Sequence, residues 1–173
     1  MKYDYRWLVI VFGNVILMLL CQLLNSGLTN LSLYLFLGAL FVITPMFFLN
    51  FFQGFLCVLL TGLLLDASSP VVFGLHTFLF GATYATLYFL VENYHLSLTQ
   101  NRSLIIQITN IVLYLAMGII LGGSHMLKLW YWGVLFYNIA VSSFVLFVVG
   151  AWFLSLQESI YNWASKEKSV LHD

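Results

Sequence analysis

Asp66 is the only acidic residue between Trp7 and Val91, and His76 follows it by ten positions. A carboxylate and an imidazole this close could share a proton, orient one another for acid–base work, or supply two ligands to a metal. The residues around them complete none of these. A metal site needs three or four convergent ligands, and only His125, with Lys128 beside it, offers to join from a separate loop. Ser124 and His125 are adjacent, but no acidic orienter and no strand–turn–helix context surrounds them. Proteolysis by paired carboxylates would need a second Asp within the apolar sequence. Phosphate-binding glycine loops and the HExxH pattern are absent. The reading is therefore of a chain that is not an enzyme and uses no metal or cofactor. The plainer role for Asp66 is to bond the amides of its own turn or to cap the next helix. An ionisable group at the edge of an apolar span is nonetheless a functional-site candidate, so both uses stay open.

The elements that must position Asp66 are written in the composition. The chain has 173 residues, 62% of them hydrophobic and only 7% charged, where a soluble domain carries about 25% charged residues. So few charges cannot coat a water-facing surface, and the chain reads as an all-helical, polytopic membrane bundle. The formal net charge is zero, and no basic stretch could track a phosphate backbone, so nucleic acid is not an expected partner. Cys21 and Cys57 both fall in apolar runs and read as small buried hydrophobes.

A helical crossing takes about 20 apolar residues, and the sequence divides into six. The spans are predicted at about 7–24, 31–45, 48–65, 71–91, 104–121 and 131–154, forming one domain over 1–156. The first reads as a retained signal anchor behind Lys2 and Arg6, with Tyr3, Tyr5 and Trp7 as an interfacial belt. Leu31 to Leu65 is too long for one helix and slightly short for two. Pro45, which lacks an amide donor, is expected to break it, with Asn50 as a polar turn. Ser69-Pro70 reads as an N-cap with proline at the first helical position of span four. Glu92 to Asn101 reads as an extramembrane loop, across which Glu92 and Arg102 could pair. From Gln157 to Asp173 the tail is polar, with Leu156, Ile160, Trp163 and Ala164 on one face and Lys166 and Lys168 beyond, as in an amphipathic helix lying in the interface. With both termini in the cytoplasm, five basic residues lie inside and only Lys128 outside, which obeys the positive-inside rule. Asp66 then faces outward.

Gly54, Val58, Gly62 and Asp66 recur at i+4 and share one helical face. Thr77, Gly81 and Ala85 make a similar stripe on span four, and the short turn makes the two spans antiparallel neighbours, so the stripes are expected to meet. Close packing of small residues is ordinary helix–helix contact in membranes; a groove for another helix is the sharper alternative. Asn14, Gln53, Gln107, Asn110, Tyr114, Asn138 and Ser142 are polar at membrane depth. Their faces should point into the bundle, either to bond neighbouring helices or to line a polar pocket.

The stretch from 45 to 90 resembles the signature of the MreD family, the rod shape-determining membrane proteins of bacteria. The residues that carry the resemblance are Pro45, then Gly62-Leu63-Leu64-Leu65-Asp66, then Ser68 and Ser69, then Gly74 eight residues past the Asp. Val58 departs from it, standing where the family often has another glycine. The resemblance implies a fold similar to the S-components of energy-coupling-factor vitamin transporters. It implies a non-catalytic scaffold in the inner membrane that serves the cell-elongation machinery. The implied partners are the membrane helix and the start of the periplasmic part of MreC and, through it, MreB and a RodA-type glycosyltransferase with its class B transpeptidase, together with membrane lipid. Pro45, Gly54, Gly62, Asp66, Ser69, Gly74, His76 and Gly81 are the residues expected to dock the partner or to build the groove that does. The alternative is a small-molecule binding subunit of a transporter, although span one has Gly13 and lacks the Ala-x-x-x-Ala pair common in S-components.

Overall fold

The structure, a computed structural model, describes residues 6–94 and 102–170. Tyr3 and Tyr5, the loop residues His95 to Asn101, and the side chains of Ala164, Lys166 and Lys168 lie outside what it describes. The described residues form six α-helices: α1 (Arg6–Leu28), α2 (Gly38–Phe48), α3 (Phe51–Ser68), α4 (Leu75–Tyr94), α5 (Arg102–Gly122) and α6 (Leu129–Val170). Among the described residues there is no strand. Short 3-10 turns at Thr29–Leu31 and Gly123–Leu127 follow α1 and α5. Among the described residues, four segments are long and apolar enough to cross a membrane: Trp7–Leu28, Phe51–Ser68, Arg102–Leu127 and Leu129–Trp163.

The bundle is built around α2. This helix is apolar on every side, a pattern that belongs to a helix surrounded by protein. Residues Gly38 to Met46 are all buried, and the helix touches each of the other five. Its 11 residues reach only about 16 Å. The second helix is therefore not the one predicted at 31–45. The chain is non-helical from Leu33 to Leu37 and helical from Gly38. Pro45 does not end the helix either. It sits in the last turn, its carbonyl accepts the Leu49 amide at 2.9 Å, and α2 stops at Phe48. The registers of the next helices move with it: α3 runs three residues past Leu65, and α4 begins at Leu75.

The far end of the chain also differs from expectation. Helix α6 continues unbroken for 42 residues, about 63 Å. Gln157 does not begin a separate interfacial helix; it faces inward and is buried. Its amide lies where a side chain at Gly13 would be, so α1 and α6 cross at that glycine. Leu156, Ile160 and Trp163 form the exposed side of the same continuous helix.

Candidate functional site

Helix α4 starts at a bare position. Gly74, at φ +95°, takes a conformation that costs L residues energy. Its carbonyl accepts the first helical bond, from Phe78 at 2.9 Å, so Gly74 holds the N-cap position without a side chain to cap with. The amides of His76 and Thr77 are then the second and third of the helix, the two that an N-cap side chain normally satisfies. Asp66 supplies that cap from α3. Its Oδ1 accepts the His76 amide at 2.9 Å and lies 2.8 Å from His76 Nδ1. Its Oδ2 accepts the Thr77 amide at 3.1 Å and the Thr77 hydroxyl at 2.7 Å. Four bonds fill the roughly four acceptor sites of a carboxylate.

Gly62 makes this reach possible. A Cβ there would stand 2.6 Å from Thr77 Cα and 2.9 Å from its nitrogen, so only glycine lets the start of α4 come this close to α3. The expected meeting of the two small-residue stripes holds at this pair. Elsewhere large side chains fill the seam: Gly54 lies under the Tyr84 hydroxyl, and Gly81 faces Leu59 and Phe55. Phe51, Phe55, Tyr84 and Tyr88 close the other end as an aromatic cluster with centroids 4.7–6.3 Å apart.

Ser69 is not the cap of α4. Its hydroxyl donates back to the Leu65 carbonyl, as does that of Ser68 at 3.1 Å, and together they finish α3. Pro45 lies in α2, apart from the corner. His125 lines a separate hollow with Trp130, Tyr131 and Asn138, so it does not join Asp66 and His76. Among the described residues no three His, Cys, Asp or Glu side chains converge as metal ligands. The buried Nε2 of His76 has no hydrogen-bond partner. Its ring stands edge-on to Phe80 at 6.0 Å. A carboxylate with every acceptor site occupied and its side chain sealed from solvent is arranged to hold two helices at a fixed angle.

The polar faces of α5 and α6 do turn inward, and they meet main chain rather than other side chains. The stretch from Leu33 to Leu37 is non-helical and enters the interior from Leu35, so its backbone groups need partners there. Asn138 Oδ1 accepts the Tyr34 amide at 2.9 Å, and Ser142 Oγ accepts that of Phe36 at 3.1 Å. Asn110 receives the Ala39 amide at 3.2 Å and donates to the Phe36 carbonyl at 2.9 Å. The Tyr114 hydroxyl donates to the Tyr34 carbonyl at 3.0 Å. Asn25 at the end of α1 bonds both the amide and the carbonyl of Leu35, at 2.7 and 2.9 Å. The signal that could have found this cradle is the length of the 31–65 stretch, too short for two full helices. Asn14 and Gln22 of α1 tie it to α3 through Thr61 at 3.2 Å and Ser68 at 2.6 Å. Compared with protein-family models, curated proteins and solved structures, the chain matches none.

Proposed function

We propose that this protein is a non-catalytic scaffold of the bacterial inner membrane, with the role its resemblance to the MreD family implies. It docks the membrane helix of MreC and, through MreC, serves MreB and the RodA-type glycosyltransferase with its class B transpeptidase in lateral wall synthesis and cell shape. In this reading all six helices belong to crossings. The second is shared between the stretch 32–37 and α2, which together reach at most about 36 Å. Both termini are cytoplasmic and the Asp66 corner faces outward, an arrangement similar to that of transporter S-components.

The observation that carries the proposal is the saturated clasp. Asp66 fixes the α3–α4 corner, and the turn it holds presents Val72, Phe73 and, in the first turn of α4, Phe78, which are 75%, 68% and 71% exposed. Asp66 therefore does not meet the partner itself. It orients an apolar knuckle that does. The acceptors and donors that a transporter subunit would turn toward a small molecule are engaged by residues 32–39, which weighs against that alternative.

The test is recovery of MreC from native membranes with Val72→Ser and Phe73→Ser variants. Both side chains are exposed, so the fold should keep its thermal stability while MreC recovery falls severalfold and cells widen. Undiminished recovery overturns the docking role. A cysteine at position 72 should react with an impermeant thiol reagent on intact cells; reaction only after permeabilisation overturns the orientation.

A further inference from the structure

A cavity of about 230 Å³ opens between α5 and α6 at the end where α5 begins. Its polar rim is Arg102, Ser103, Ser155 and Glu158, and its wall continues along α6 through Ala151, Gly150 and Phe147 to Leu146. The α6 wall alone runs about 18 Å from Leu146 to Glu158. Gly150 and Ala151 add little bulk to this wall, and the cavity is a mostly apolar channel, with Gln107 on one side, below a charged mouth.

The charges at the mouth are unfinished. Arg102 Nη1 and Glu158 Oε2 stand 3.7 Å apart, too far for a direct hydrogen bond. The Arg102 Nε is buried without a partner. The guanidinium lies against the Phe47 ring, 4.8 Å from its carbon, and keeps a loose ion pair with Glu158 that leaves both groups able to take further hydrogen bonds. The Gln107 amide nitrogen is already given to the Ser143 carbonyl at 2.9 Å and adds no second cation or anion. The mouth thus offers one positive donor and one carboxylate acceptor side by side, with hydroxyls between and a mostly apolar channel below.

We infer that this cavity binds an aminophospholipid of the phosphatidylethanolamine type. Its phosphate sits on Arg102 and Ser103, its primary ammonium on Glu158, and one acyl chain lies along Gly150 and Ala151. The pairing of charges selects the headgroup. A phosphatidylglycerol phosphate would meet Arg102 but bring no cation to Glu158, leaving two negative groups together. The quaternary ammonium of phosphatidylcholine carries charge but no N–H to donate. The site is separate from the α3–α4 corner and does not depend on the docking role.

The test is native mass spectrometry of the full chain in mild detergent, offered equimolar phosphatidylethanolamine, phosphatidylcholine and phosphatidylglycerol with matched acyl chains. Phosphatidylethanolamine should be retained over each of the others by roughly three- to tenfold, the range for a partly exposed charge-assisted pair. Glu158→Gln should erase the preference over phosphatidylglycerol while leaving total lipid retention in place. Ala151→Leu, at an exposed position, should lower retention of all three by filling the channel. Equal retention of the three lipids by the unaltered protein, or an unchanged preference in Glu158→Gln, overturns the inference.

Discussion

Replacing Asp66 by Asn is the sharpest test of the clasp, because it keeps the shape and removes the charge. An amide has one oxygen, which can stay on the His76 amide and Nδ1. Its nitrogen then faces the Thr77 amide, a donor against a donor, and the 3.1 Å bond is lost. The Thr77 hydroxyl, now 2.7 Å away, can rotate to accept. One backbone N–H is left buried and the remaining bonds lose their charge assistance, so the cost is about 2–3 kcal/mol. Asp66→Leu abolishes all four bonds and strips the cap from α4 as well, for about 4 kcal/mol. By the rule that 1 kcal/mol moves the midpoint of a 150–250-residue domain by about 2–4 °C, Asp66→Asn should lower Tm by about 4–12 °C and Asp66→Leu by more. Cys21 and Cys57 are both buried, so a thiol-reactive dye reports unfolding in detergent without a label being introduced. Thr77→Val supplies the control. It removes only the hydroxyl bond, and its effect in the Asp66→Leu background should vanish, since the acceptor is already gone. An Asp66→Asn variant that melts within about 1 °C of the parent, against the shift expected from its lost bond, would refute the clasp, as would additive losses in the Asp66→Leu, Thr77→Val double variant.

Three further outcomes follow from the same geometry. Gly62→Ala should force α3 and α4 apart and cost about 1–3 kcal/mol, whereas Gly133→Ala, with nothing within 4 Å of the added carbon, should be neutral or stabilising by up to about 1 kcal/mol; thermal melts in parallel separate the two. Asn110→Leu should cost about 2–4 kcal/mol by leaving the Ala39 amide and the Phe36 carbonyl unpaired inside the bundle, and should speed dye reaction at Cys21, which shares a core cluster with Phe36 and Ala39. Ser69→Ala should cost about 1 kcal/mol or less because its hydroxyl only finishes α3, whereas Gly74→Ala, at φ +95°, should cost about 1–2 kcal/mol; the reverse order of effects would restore Ser69 as the cap.

The pairing of Asp66 with His76 was legible because the turn between them is short and only one carboxylate was available. Ser69-Pro70 misled because it carries the local pattern of a helix start. The donor it should have satisfied had been claimed by a carboxylate from the preceding helix, and local patterns do not report a cap delivered across a helix pair. The start of α2 was illegible for another reason. A run that is apolar on every side has no phase, so nothing in Leu31–Pro45 distinguishes helix from buried irregular chain. The partners that settle it, Asn110, Tyr114, Asn138 and Ser142, lie 71–108 residues away. They announced themselves as polar at membrane depth, but not as partners of main chain. Gln157 looked like the edge of the bundle because it is polar. It is inside because Gly13 leaves room for it.

The two polar constructions in this bundle answer one constraint. In hydrocarbon no water waits to bond a free amide, so a helix can be interrupted only where side chains replace the missing bonds. The chain interrupts its helices before α2 and before α4; the first break enters the core, the second leaves its turn exposed but turns the first amides of α4 inward, and at each the replacement is provided from a different helix. Asn, Ser and Tyr side chains serve the first, where the irregular stretch needs partners of both kinds. A carboxylate serves the second, where only donors are exposed and a pure acceptor fits best. That difference explains why Asp66 can be the single acidic group between Trp7 and Val91 without being a proton carrier. Its charge is matched to a helix start, where the dipole and two free amides favour an anion. The result is a turn whose direction is set by bonds rather than by packing, and a partner reading Val72 and Phe73 would meet the same surface each time.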